Sequence, residues 1–131
     1  MAAEWPQVLV VDDEPEMCWA LEKALHHAGY DVTTATNGKD ALKLIAGSRY
    51  SVVFLDAKLP DVEGIELAAI IKERYPRTSV VMISGYYYQD DNAISSGVEE
   101  GLFMGFLPKP FSTNGLRSMA RLAVARSASW S

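Results

Sequence analysis

The sequence predicts an α/β domain in which a single doubly wound, five-stranded parallel sheet is flanked by about five helices. Short, mostly β-branched apolar runs alternate with stretches whose apolar residues recur every three or four positions. This alternation is typical of right-handed strand–helix–strand units, which build a parallel sheet covered on both faces. The length agrees, because 131 residues that are 49% hydrophobic make one domain of ordinary size.

The first strand–helix–strand unit lies between residues 8 and 35. Val8–Val11 is a continuous apolar run, as expected of a strand buried on both faces. Pro15 suits the first turn of the following helix, and Gly29 suits a left-handed end. Residues 30–35 form a more polar second strand, which indicates an edge of the sheet. The inner face of the helix is expected to comprise Met17, Leu21, Ala24, Leu25 and Ala28.

The second and third helices surround the third strand, Val52–Leu55. Asn37 is expected to cap the second helix, which Gly47 ends. A loop over residues 56–64 leads to the third helix, which stops before Pro76. The expected inner residues of these two helices are Ala41, Leu44 and Ile45, then Ile65, Leu67, Ala68, Ile70 and Ile71.

The last part of the sheet comprises a fourth strand, Val80–Ile83, and a fifth strand over residues 102–107. A short or irregular fourth helix is expected around residues 90–96, within a segment (85–101) that is poor in helix formers. Ser112 is expected to cap the last helix. Its predicted inner residues are Leu116, Met119, Ala120, Leu122 and Ala123. The domain is predicted to span residues 6–126, with 127–131 as a frayed tail.

Composition and motifs exclude several classes of protein. The net charge of −5 and the lack of a basic stripe argue against direct nucleic-acid binding by this domain. The N-terminus does not resemble a signal peptide, and no apolar run approaches the ~20 residues that span a bilayer, so a cytoplasmic location without membrane contact is expected. The single cysteine, Cys18, is expected to be a small buried side chain. Another doubly wound nucleotide-binding domain is the alternative fold, but no glycine-rich phosphate motif follows the first strand.

Polar residues that could bind a ligand or take part in a reaction follow four of the predicted strands. Asp12 and Asp13 follow the first strand, Asp56 the third, Ser84 the fourth and Lys109 the fifth. In open α/β sheets, ligands bind beyond the carboxyl ends of the strands, where the strand order reverses. We therefore expect these side chains to share one acidic pocket. Crowded carboxylates need a compensating cation, and their hard oxygen atoms suit Mg²⁺.

Such a pocket could support phosphoryl transfer. Asp56 could attack a phosphorus atom and become an aspartyl phosphate, while Lys109 pairs with a phosphoryl oxygen and Ser84 hydrogen-bonds another. Taken singly, each residue has an ordinary explanation as a helix cap, a turn residue or a solvated cation. Their joint occurrence at strand ends favours a site.

These residues make the chain resemble the receiver domain of response regulators, the phosphoacceptor module of two-component signalling. The resemblance covers about residues 7–126, and its matching segments are Val8–Glu14, Asp56–Gly64, Ser84–Gly85 and Lys109–Phe111. It implies a flavodoxin-like fold with strand order 2-1-3-4-5. It also implies that Asp13, Asp56 and the backbone carbonyl of Lys58 bind Mg²⁺ directly, and that Asp12 acts through a metal-bound water.

The resemblance further implies a phosphorylation switch. Asp56 would accept a phosphoryl group from the phosphohistidine of a histidine kinase or phosphotransfer protein, with Ser84 and Lys109 contacting that group. Phe106 would be the aromatic switch residue, and the Lys109–Pro110 bond would be cis. The conformational change would affect the face formed by the fourth helix, fifth strand and fifth helix, and so control a partner, a fused output domain or a homodimer. The chain is then no conventional enzyme, although it would catalyse its own phosphorylation and dephosphorylation.

Two alternatives to a phosphorylation switch are open, and only the first has support in the sequence. The interval from Ser84 to Lys109 is longer than the commonest pattern, which suggests a phosphorylation-independent interaction module, or pseudo-receiver. An aspartate-nucleophile phosphatase would need a second acid two residues after Asp56, where the chain has Lys58. Neither the cognate kinase nor the output can be read from these residues.

Overall fold

The computed structural model describes residues 5–85 and 101–129 as a five-stranded sheet with four helices. All strand pairs are parallel and the strand order is β2-β1-β3-β4-β5, so the predicted fold class and order are confirmed. The helix predicted around residues 90–96 lies outside the described residues. The elements are β1 (Gln7–Val11), α1 (Pro15–His27), β2 (Asp31–Ala35), α2 (Gly38–Gly47), β3 (Val52–Asp56), α3 (Gly64–Arg74), β4 (Ser79–Ser84), β5 (Gly105–Pro108) and α4 (Thr113–Ser129).

Two hydrophobic layers cover the two faces of the sheet. Successive side chains of a strand point to opposite faces, so Val8 and Val10 pack with α1 and α4, whereas Leu9 and Val11 pack with α2 and α3. β3 alternates in the same way, with Phe54 on the first face and Val53 on the second. Burial on both faces explains why the central strands are continuous apolar runs. Within the described ranges, no helix combines the length and apolarity needed to cross a membrane.

The helix ends follow the local predictions. Gly29 adopts a left-handed backbone with φ of 100° just after α1. The Asn37 side chain accepts the Asp40 N–H at 2.8 Å, and the Ser112 hydroxyl accepts the Gly115 N–H at 2.9 Å. These side chains satisfy backbone donors that have no partner inside the helix.

The C-terminal part of the chain differs from prediction in two places. β5 begins at Gly105 rather than residue 102, because bends after Gly101 bring Phe103 into the core. Leu122 is 60% exposed, because the buried positions of α4 are Leu116, Ala120, Ala123 and Ser127, and Leu122 lies off that stripe. Within the predicted tail, the last helix continues through residues 127–129 and Ser127 is buried.

Candidate functional site

Three carboxylates meet at the carboxyl edge of the sheet. Asp12 directly follows β1 and is fully buried, while Asp56 is the last residue of β3 and is 9% exposed. Pairing of Val11 with Leu55 places these two strand ends side by side. Asp13 is exposed, and one oxygen from each of the three carboxylates lies within 4.8 Å of the others. The predicted acidic cluster is therefore assembled at the point where the strand order reverses.

Lys109 supplies the cation of the cluster from the segment after β5. Its Nζ lies 2.9 Å from Asp12 Oδ2, 3.6 Å from Glu14 Oε1 and 3.9 Å from Asp56 Oδ1. The other oxygen of Asp12, Oδ1, accepts the Glu14 backbone N–H at 2.9 Å. Both oxygens of this fully buried carboxylate thus have partners, as a buried charge requires.

The electrostatics of the site set Asp56 apart. Burial and the neighbouring Asp12 carboxylate raise the pKa of Asp56 to about 6, against opposing effects of Lys109 and of the Lys58 N–H, which donates to the Asp56 carboxylate. Burial alone would lower the pKa of Lys109, but the hydrogen bond and charge of Asp12 raise it above its usual value. Lys109 therefore stays charged, and the ionised form of Asp56 is destabilised.

Ser84 adds a hydroxyl with unused hydrogen-bonding capacity. It ends β4 and is 1% exposed, and its Oγ has no hydrogen-bond partner among the described residues. The backbone carbonyl of Ser84 accepts the Lys109 N–H at 2.7 Å, which ties the two predicted phosphoryl-contacting residues together. A buried hydroxyl without a partner is costly, so a ligand oxygen at this position would relieve a penalty.

The loop between β3 and α3 is held by backbone contacts. Ala57 N–H donates to the Ile83 carbonyl at 3.0 Å, and Gly64 N–H donates to the Ala57 carbonyl at 2.8 Å. Lys58 pairs with Glu63 across the loop. These contacts fix the backbone that carries Asp56. The role of the Lys58 carbonyl as a metal ligand stays a prediction.

Gly64 makes this loop intolerant of a side chain. A Cβ at position 64 would clash with the Asp56 carbonyl oxygen and lie 2.8 Å from the Ala57 Cα. We expect Gly64→Ala to lower the free energy of unfolding by about 1–3 kcal/mol, because backbone atoms rather than a flexible side chain must move. Urea denaturation measures the change. Gly47→Ala is the matched control, because position 47 has no atoms within 4 Å and should tolerate the methyl group. Equal stabilities of the two variants would contradict the prediction.

The two remaining predicted features are the switch residue Phe106 and the Lys109–Pro110 peptide bond. Phe106 is on β5, paired with Met82 of β4, and is half-buried against the core face that contains Phe103. The Lys109–Pro110 peptide bond is cis, as the resemblance implies. The helical part of the predicted switch face, before β5, lies outside the described residues.

Three residues make structural contacts that the sequence patterns do not predict. Glu14 reaches Lys109, although it appeared only as the end of a motif. The Cys18 thiol donates to the Asp12 backbone carbonyl at 3.2 Å, which supports the segment after β1. Asp61 accepts the backbone N–H groups of Gly38 and Lys39 at 2.8 and 3.0 Å. Because Asp61 is 23 residues from Gly38, only the tertiary structure reveals that it caps α2.

The donor set fits a hard divalent cation. Carboxylate oxygens from Asp12, Asp13 and Asp56 are the ligand type that Mg²⁺ prefers, and water can complete its coordination. Burial and the neighbouring Asp12 carboxylate raise the pKa of Asp56, so a bound cation would favour its ionised form.

Comparisons with known proteins agree with this fold. The family model for the response regulator receiver domain matches residues 8–121. The chain is 33% identical over 118 residues to the DNA-binding transcriptional regulator NtrC of Escherichia coli K12, covering 90% of this chain and 24% of that protein. It is 36% identical over 118 residues to the response regulator protein PilR of Pseudomonas aeruginosa, covering 90% of this chain and 26% of PilR. The chain thus spans about a quarter of the length of these curated relatives.

Solved structures give the same result. The receiver domain of NtrX from Brucella abortus superposes with a TM-score of 0.83 at 32% identity, covering 90% of this chain and 98% of that one. A signal receiver domain of an HD domain-containing protein from Pseudomonas fluorescens Pf-5 gives a TM-score of 0.89 at 27% identity, covering 98% and 93%. With the acidic cluster, the parallel sheet and the matched family model in agreement, the chain belongs to the family of response regulator receiver domains.

Proposed function

We propose that the chain is a cytoplasmic phosphorylation switch in which Asp56 accepts a phosphoryl group from the phosphohistidine of a histidine kinase or phosphotransfer protein. The observation that carries the proposal is the set of groups around Asp56: two further carboxylates, the Lys109 ammonium and the Ser84 hydroxyl, which has no hydrogen-bond partner among residues 5–85 and 101–129. In the reaction, a carboxylate oxygen of Asp56 forms a bond to phosphorus. The phosphorus–nitrogen bond breaks, and the histidine takes its electron pair.

Each residue of the site has a definite task in this reaction. Asp56 must be ionised to attack, and a pKa of about 6 leaves most molecules ionised at neutral pH. Lys109 lies 3.9 Å from the Asp56 carboxylate and would pair with a phosphoryl oxygen. Ser84 would donate its hydroxyl proton to a second phosphoryl oxygen and so satisfy its own buried group.

Mg²⁺ would be held by Asp13, Asp56 and the Lys58 backbone carbonyl, with Asp12 acting through a water molecule. When bound, the ion offsets the negative charge that gathers as phosphate approaches the carboxylates. Asp12 is already engaged by Lys109 at 2.9 Å, which agrees with an indirect role.

The output would arise from the hydroxyl of Ser84 and the ring of Phe106. The Ser84 hydroxyl would move toward the phosphoryl group on Asp56 and hydrogen-bond it. The half-buried Phe106 on the neighbouring strand would then move inward. Phosphorylation would thus shift the equilibrium between two conformations of the domain. The affected face, which includes β5 and α4, would control a partner, a homodimer or an output domain in a longer chain. The net charge of −5 indicates that any contact with DNA would belong to another domain or protein.

The decisive experiment is incubation with acetyl phosphate and Mg²⁺, followed by intact-mass measurement. The expected result is a mass increase of one phosphoryl group in the wild type, loss of that increase without Mg²⁺, and no increase in Asp56→Asn. Glu66→Gln is the matched control, since it replaces an exposed carboxylate of α3 by an amide. An unmodified wild type, or equal modification of Asp56→Asn, would instead favour the phosphorylation-independent interaction module.

A further inference from the structure

A cavity lies at the end of the sheet opposite to the acidic cluster. Its volume is about 530 Å³, and it is formed where α2 and α3 end and the chain turns into β3 and β4. Cavities of roughly 300–1,000 Å³ are typical of small-molecule sites. Since residues at the amino ends of the strands line it, this cavity is separate from the site around Asp56.

The walls of the cavity are apolar and held in place. Ile45 and Tyr50 are 3% exposed, and Tyr75 is half-buried. Thr78 donates its hydroxyl hydrogen to the Tyr50 carbonyl at 2.8 Å and its N–H to the Tyr75 carbonyl at 3.0 Å. These bonds join the two loops, so the cavity is preformed and a ligand would not have to order them.

The charge around the cavity is one-sided. Arg49, Arg74 and Arg77 line it, and no carboxylate is found among its described lining residues. None of the three guanidinium groups makes an ion pair with a described carboxylate. Three of the 12 Lys and Arg residues of an acidic chain thus line one cavity, without an ion pair to a carboxylate of the described ranges. Arg74 lies in the last turn of α3, whereas Arg49 and Arg77 lie in the loops that follow α2 and α3.

This combination selects a class of ligand. Guanidinium groups bind phosphate through paired N–H donors, and the half-buried Tyr75 offers an aromatic surface against which a flat ring can pack. Inorganic phosphate would leave the apolar wall without contact, and a long polyanion would be repelled by the net charge of −5. We propose that this cavity binds a small organic phosphate with a planar ring, of the size and chemistry of a nucleoside monophosphate.

The test is titration of the full ¹⁵N-labelled chain with adenosine monophosphate, with adenosine and inorganic phosphate as separate probes. The expected result is that adenosine monophosphate shifts the amide signals of residues 45–50, 75, 77 and 78, and that each separate probe binds at least about tenfold more weakly. Arg74→Ala/Arg77→Ala should lose about tenfold or more in affinity for the same reason. Arg49→Ala provides a second variant should the double variant not fold.

Two controls separate this site from the rest of the molecule. Arg117→Ala/Arg121→Ala removes two exposed arginines of α4 and should leave the affinity unchanged. Asp56→Asn should also leave it unchanged, so the result is independent of the proposed phosphorylation. Absence of shifts at millimolar adenosine monophosphate, shifts centred on Arg117, or undiminished binding by both the Arg74/Arg77 and Arg49 variants would overturn the proposal.

Discussion

Asp56→Asn should raise the free energy of unfolding at pH 7 without Mg²⁺ by about 1–3 kcal/mol, although it removes the proposed phosphoacceptor. The physical reason is that burial and repulsion by Asp12 raise the pKa of Asp56 from 3.8 to about 6. Each unit of such a shift corresponds to ~1.4 kcal/mol. An amide has nearly the same shape as the carboxylate and carries no charge, so it removes the repulsion and keeps the packing.

The stability gained by Asp56→Asn should depend on pH. The folded state holds the Asp56 proton more tightly than the unfolded state, so the stability of the wild type falls as pH rises from about 3.8 to about 6. Below this window Asp56 is protonated in both states, and the advantage of Asp56→Asn should vanish. Above it the advantage should be complete and constant. Urea denaturation at pH values from 4 to 8 measures the profile.

Magnesium supplies the contrasting measurement. A ligand that binds only the folded protein stabilises it. Because Asp56→Asn lacks one of the carboxylates, Mg²⁺ should stabilise the wild type more than the variant. The two free energies of unfolding should therefore become more similar when Mg²⁺ is added. Glu66→Gln, an exposed carboxylate-to-amide control, should follow the wild type at every pH. A variant less stable than the wild type at pH 7 would show that Lys109 neutralises Asp56 more effectively than the pKa of the carboxyl indicates.

The sheet and most of the site follow from local sequence signals. Val8–Val11 and Val52–Leu55 are long enough and apolar enough to require burial on both faces, which leaves the polar residues after them at one edge. Leu122 could not be assigned in the same way, because α4 has apolar residues on more than one side and only packing selects the buried side. The start of β5 was also beyond local rules, since Phe103 is apolar and buried without being part of the strand.

The contacts among the site residues are not local signals either. Lys109 and Asp12 are 97 residues apart, and the sequence predicts their common location but not their 2.9 Å contact. The same holds for the cap that Asp61 provides to α2 and for the arginine-lined cavity. Each of them forms only when loops from different parts of the chain meet. The sequence pattern therefore predicts which side chains lie at the same edge of the sheet. Which of these side chains contact each other depends on the tertiary structure.

The contact between Lys109 and Asp12 predicts the second large effect. Lys109→Met should lower the free energy of unfolding at pH 7 without Mg²⁺ by about 3–5 kcal/mol, as expected when one partner of a buried ion pair is removed. Methionine keeps all but one heavy atom of the side-chain length, whereas the fully buried Asp12 carboxylate loses its cation at 2.9 Å. Denaturation by urea measures the loss. Lys43→Met, at an exposed position of α2, should stay within about 0.5 kcal/mol of the wild type.

Two further measurements separate an orphaned charge from lost packing. Mg²⁺ should recover part of the stability of Lys109→Met, because it restores positive charge near the three carboxylates. Adding Asp12→Asn to Lys109→Met should also recover stability, since the double variant buries no unpaired charge at position 12. If the double variant were instead less stable than Lys109→Met alone, the cost would come from packing around Lys109. The buried Asp12 carboxylate would then not be the cause of the lost stability.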